Sequence, residues 1–82
     1  MINQFPAYLD WSFDQDAQNI YRFTVKREAH AFKEGERVLL TIDGTKASQY
    51  GEILKVEDDG IVVKTDEWLD ISEAYWIKGV DA

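Results

Sequence analysis

From Asn19 onward, apolar and polar residues alternate in short runs separated by turn-forming clusters. Tyr21, Phe23 and Val25 alternate with Arg22, Thr24 and Lys26. Successive residues of a strand point to opposite sides, so this pattern predicts a half-buried strand with its rings inward and its charges in water. After a polar connection over 28–35, Val38, Leu40 and Ile42 alternate with Arg37, Leu39 and Thr41 as a second strand, which Asp43-Gly44 closes as a turn. A third strand runs over 50–56 and a fourth begins at Ile61-Val62-Val63, with Glu57-Asp58-Asp59-Gly60 between them. In that hairpin Gly60 is expected to supply the positive backbone angle of a tight turn, while the short acids accept hydrogen bonds from turn amides. Residues 66–72 predict one helical turn around Trp68, Leu69 and Ile71, and 73–78 a closing strand.

The first eighteen residues are aromatic and ambiguous. Leu9, Trp11 and Phe13 alternate as in a strand, whereas Phe13, Ala17, Ile20 and Tyr21 fit one face of a helix, with Ser12 and Gln15 spaced as a capping box. The expectation is therefore an N-terminal aromatic arm or short helix over 1–18 and a β-barrel domain over 19–82. Five short strands joined by turns predict an all-β fold, and at this size closure into a small barrel removes edges that would otherwise promote aggregation.

Over residues 35–65 the elements Gly35-Glu36-x-Val38, Tyr50-Gly51-Glu52-Ile53-x-x-Val56 and Asp59-Gly60-Ile61-Val62-Val63 resemble the SH3-like small barrels of the KOW and Tudor kind. The resemblance implies a small five-stranded SH3-like barrel. Its Tudor side implies an aromatic cage for methylated Lys or Arg, with Tyr50 falling where that hairpin carries an aromatic before Gly. Ile53 and Val62 are aliphatic, which leaves Tyr75 or Trp76 to complete such a box. Its KOW side implies association with nucleic acid, for which Arg22, Lys26 and Arg27 offer a short basic stripe on the first predicted strand.

Composition narrows the functional classes. The chain has 82 residues, of which 45% are hydrophobic and 13% aromatic, enough buriable surface for one folded domain and too little length for a two-domain enzyme. It has no Cys, hence no disulfide, thiol nucleophile or thiolate metal site. No segment reads as a secretory leader or a membrane span, so a cytoplasmic location is the expectation. The formal charge is -7 and unevenly placed: residues 1–56 hold 8 acids and 7 bases, residues 57–82 hold 8 acids and 2 bases. Such a field repels phosphate backbones and attracts basic surfaces, which argues against nucleic acid as a partner. A solubilising face and a docking face for a basic protein are both consistent with it.

Catalytic constellations are sparse. His30 is the single histidine and sits in a polar connection, and no Gly-x-Ser-x-Gly surrounds Ser12, Ser48 or Ser72. The carboxylate pairs Asp14 with Asp16, Asp58 with Asp59, and Asp66 with Asp70 read as turn formers or charged surface. Zinc would want several Cys or His, and Asp58-Asp59-Gly60 lacks the ligand rhythm of a calcium loop. Asp66, Glu67, Asp70 and Glu73 could hold a hard cation weakly. The five glycines are scattered and form no phosphate loop. The expectation is a non-enzymatic chain without metal or cofactor.

The segment from Asp66 to Ile77 interleaves large aromatics with acids. If Tyr75 and Ile77 face inward, strand alternation turns Trp76 outward. A partly exposed indole among carboxylates has the makeup of a contact for an Arg-bearing or otherwise basic protein, the ring giving packing and cation attraction and the acids steering. Tyr50, Asp66, Glu67, Trp68, Asp70, Glu73, Tyr75 and Trp76 are accordingly the candidate partner-binding residues. The competing reading is that the rings close the barrel ends or cover the N-terminal segment. A sharper form of the binding reading has the acidic surface imitate nucleic acid and inhibit a nucleic-acid-binding protein.

Overall fold

The computed structural model describes residues 5–13, 19–25, 32–67, 69 and 74–80. Among them are six strands and no helix: β1 (Phe5–Phe13), β2 (Ile20–Thr24), β3 (Arg37–Ile42), β4 (Ser48–Val56), β5 (Gly60–Thr65) and β6 (Ala74–Gly79). Every pairing is antiparallel, and the order β1-β2-β5-β4-β3-β6 closes on itself through β6 and β1. The fold is an all-β closed barrel that fits the small SH3-like class, with six strands where the sequence predicted five.

The sixth strand comes from the N-terminal segment. β1 pairs with β2 on one side and β6 on the other, so residues 5–13 complete the wall rather than forming a helix or a free arm. Backbone pairing on both sides outweighs a weak local helical period. Along β1, Ala7 is fully buried while Phe5 and Leu9 pack against the core. The register shifts between Leu9 and Trp11, leaving Asp10 as the extra residue of a β-bulge. The bulge separates Leu9 from Trp11: simple alternation puts both on one face, but Leu9 packs against the core and Trp11 is exposed.

The core follows the predicted alternation from β2 onward. Tyr21, Phe23 and Val25, then Val38 and Leu40, then Ile53, Ile61 and Val63, then Tyr75 and Ile77, are all buried in one cluster. Phe23 and Tyr75 meet edge to face across the barrel with centroids 5.3 Å apart, and Phe5 meets Phe32 the same way at 5.9 Å. Leu69 is also buried, and its amide donates to the Tyr21 hydroxyl at 2.9 Å, so the ring's polar end is satisfied inside. The helical turn expected over 66–72 lies largely outside the described residues.

Two turn glycines behave differently. Gly44 adopts the left-handed conformation (φ 83°) that the Asp43-Gly44 turn requires. Gly60 is not in that region. Its lack of a side chain has another use: a Cβ there would collide with the Arg22 guanidinium, so glycine leaves room for that group among its carboxylates. Among the described residues no helix is long and apolar enough to cross a membrane.

Candidate functional site

Trp76 lies in the middle of β6, its Cα paired with Pro6 on β1 and Thr41 on β3. Its neighbours Tyr75 and Ile77 point into the barrel, which turns the indole onto the outer wall, where the residue is 37% exposed. The ring is held: its Nε1–H donates to Asp43 Oδ1 at 2.8 Å, from the β3–β4 turn. The opposite outcome holds for Tyr75, which is 1% exposed and packed on Phe23, so its side chain is part of the core and lies beneath the surface that the sequence assigned it to.

Tyr50 is also half-exposed, on β4. The Arg37 guanidinium lies 5.6 Å from its ring centroid and also pairs with Asp66 at 3.6 Å. The Asp66 amide donates to the Tyr50 carbonyl, and the Glu67 amide to Oε1 of Gln49 at 3.2 Å, so Tyr50, Asp66 and Glu67 do come together. Beside them is an open polar depression of about 330 Å³ lined by Asn19, Arg37, Glu52, Lys64, Thr65 and Asp66. Trp76 is not part of this group. Tyr50 pairs with Leu39 of β3 and Leu39 with Lys78 of β6, so β3 intervenes and two strand spacings, about 10 Å, separate the strands of the two rings. With Tyr75 facing the other side of the wall, Tyr50, Tyr75 and Trp76 do not close one aromatic box. Trp68, Asp70 and Glu73 lie outside the described residues.

The acids of the last third are divided as well. Asp59 precedes β5 and Asp66 follows it, which places them about 20 Å apart along a six-residue strand. The first group is engaged by Arg22, which projects outward from β2 as the alternation predicted. Its Nε donates to Glu57 Oε1 at 2.9 Å, its Nη2 to Asp59 Oδ1 at 2.8 Å, and its Nη1 to Asp10 Oδ2 and to Thr24 Oγ1. Burial by itself disfavours the charged guanidinium, but hydrogen bonds to Asp59, Glu57 and Asp10 outweigh it and raise the Arg22 pKa above its ordinary value. The Arg22 hydrogen bond in turn holds the Asp59 carboxyl below the usual carboxylate range. Three carboxylates therefore surround the first residue of the basic stripe, and its side chain is only 14% exposed. Lys26 and Arg27 lie outside the described residues, as does His30.

Sequence reasoning missed Tyr8, Trp11 and Asp43. Tyr8 and Trp11 are half-exposed on β1. The available signal was the ring-x-acid-ring order Tyr8-Leu9-Asp10-Trp11, readable only once a bulge at Asp10 is known. Asp43 was read as a turn former and is that too, since the Thr45 amide donates to the Ile42 carbonyl at 3.1 Å across Asp43-Gly44. Among the described residues no group of three or more His, Cys, Asp or Glu is arranged to hold a metal ion. The fold and its surface thus define a small closed barrel of the SH3-like class carrying exposed aromatics on its outer wall. Neither the known protein-family models nor the curated proteins provide a match to this chain.

Proposed function

We propose that this chain is a non-enzymatic binding module that engages a basic protein partner through aromatic rings and carboxylates on the outer wall of its barrel. The observation that carries the reading is Trp76, an indole set outside the wall and fixed in orientation by Asp43. An ordered ring loses little conformational freedom on binding, and a carboxylate at its edge attracts a cationic side chain toward the π face. Closure of the barrel supports recognition by side chains, because the six described strands leave no unpaired edge among themselves for strand addition. The net charge of -7 favours a basic partner and opposes a phosphate backbone. A competitor of nucleic acid and a neutral adaptor are both forms of this reading.

The test is a pull-down at low and high salt with the wild type and Trp76→Ala. Basic proteins are expected at low salt, released at high salt, and recovered less well by the variant, whose fold should persist because the ring is outside the core. Recovery of no protein partner, or an identical set with Trp76→Ala, would contradict the reading. Anisotropy with labelled single-stranded and duplex oligonucleotides separates the alternative, since tight binding that weakens steeply with salt would instead favour a nucleic-acid module.

A further inference from the structure

The bulge at Asp10 alters what β1 presents to solvent. Regular alternation after Ala7 and Leu9 would send Trp11 inward; the extra residue turns it out, so Tyr8 and Trp11 stand on the outer wall on either side of the Asp10 carboxylate. Trp76 adjoins them. Pro6 pairs with Trp76 and Tyr8 with Ala74, which makes Tyr8 the diagonal neighbour of Trp76 across the β1–β6 seam. Three of the five large apolar side chains that the described residues expose therefore stand on β1 and β6, Tyr8 and Trp76 flanking the seam and Trp11 three residues further along β1, past the last β1–β6 pair and beside Arg22 of β2. Single exposed rings are ordinary, whereas adjoining rings along one wall mark a contact surface.

Charge at the rim selects the occupant. The seam borders β2, where Asp10, Glu57 and Asp59 gather on Arg22, with exposed Asp58 in the same hairpin and Lys55 at 3.9 Å from Glu57. Four carboxylates against two cations leave this end of the rim negative, while at the other end Lys78, two residues from Trp76 on the outward side of β6, adds one cation. On the far side Asp43 edges Trp76. A guanidinium matches both features, because its plane stacks on a ring while its N–H groups donate to a carboxylate; a compact, strongly hydrated ammonium does this less well.

We propose that the strip formed by Trp76, Tyr8 and Trp11 is the docking surface for an arginine-bearing segment of a protein partner. This rests on the basic-partner reading above and extends its site from the C-terminal third to β1.

The test uses the full chain and fluorescein-labelled octa-arginine, with octa-lysine and octa-glutamate for comparison, read by anisotropy at low salt. Tyr8→Ala and Trp11→Ala leave the charge unchanged and are each expected to weaken octa-arginine binding about 5- to 10-fold, whereas Tyr50→Ala, at an equally exposed ring elsewhere, changes it less than about twofold. Octa-lysine should bind the wild type more weakly than octa-arginine, and octa-glutamate not at all. Trp11→Leu keeps apolar bulk but removes the π face, so it carries the same test if the alanine variant is unstable. If Tyr8 and Trp11 variants bind like the wild type while Trp76→Ala weakens binding, the strip is wrong and the basic-partner reading stands. Equal binding of octa-lysine and octa-arginine, insensitive to the ring variants, reduces the effect to net charge and overturns the strip. Failure of the wild type to bind either cationic peptide overturns both.

Discussion

Arg22 and Arg37 stand three strands apart around a six-stranded ring, on opposite walls of the barrel, and both face outward next to acids. Arg22 is 14% exposed and bound by three carboxylates, two of them at 2.8 to 2.9 Å; Arg37 is 53% exposed, with one carboxylate at 3.6 Å and a ring beneath it. The same residue type thus does two jobs. Enclosure and the number of partners decide which: a screened, flexible pair in water contributes little, whereas an enclosed fork that donates four hydrogen bonds ties together the elements it touches. Arg22 joins β1, β2 and the β4–β5 hairpin, and glycine at position 60 makes room for it. The Arg37 wall keeps its polar groups open to solvent.

The largest expected difference between the walls is in stability. Arg22→Ala leaves three carboxylates facing one another without their cation and should cost about 2 kcal/mol, a drop in melting temperature of roughly 10 °C for a domain of this size. Arg37→Ala should cost less than about 0.5 kcal/mol. Urea denaturation of the two variants side by side checks this, and equal losses would break the comparison.

Gly60→Ala should come next. Its new Cβ falls 2.4 Å from Cζ of Arg22 and pushes the guanidinium off its partners, at about 1 to 2 kcal/mol. In an Arg22→Ala background the same substitution should be nearly neutral, because the obstructing atoms are gone. Additive losses would mean that Gly60 acts through its backbone instead.

Acid sensitivity separates the walls more finely. Asp59 has its pKa lowered in the folded state by Arg22, so its contribution is present above its ordinary pKa of 3.8 and is lost as pH falls through the lower folded value. Unfolding followed across that acid range should show a shallower pH dependence in Asp59→Asn than in the wild type.

A similarly small stability effect is expected at the exposed rings. Trp11→Ala and Tyr50→Ala should each shift stability by less than about 1 kcal/mol, since neither ring belongs to the core. Phe23→Ala, by contrast, should cost about 3 to 5 kcal/mol and serves as the calibration for a buried ring in the same melts.

How far the chain could be read in advance follows from the range of the interactions. The strands β2 to β6 were legible because alternation is local: Tyr21, Phe23, Val38, Leu40 and Ile53 announce their inward face within a few residues. The outward setting of Trp76 followed from the same rule. β1 was obscured because the bulge at Asp10 breaks the period, and because one of its two partners, β6, lies more than sixty residues away. The enclosure of Arg22 was equally hidden, since Asp10, Glu57 and Asp59 lie 12, 35 and 37 residues from it and only barrel closure brings them together. The excess of acid in the last third was real as a count, but its described members did not map onto one surface, because a strand carries its two ends to opposite rims.

The most direct test of the division between a charge that builds the fold and a wall that is free for contact is a titration of the isotopically labelled protein with a basic peptide. Two-dimensional spectra would follow the Trp76 indole N–H and the Arg22 Nε–H together. The Trp76 indole resonance is expected to move with peptide and return at high salt while the Arg22 resonance stays in place. Movement of Arg22 with an unperturbed Trp76 would contradict that division.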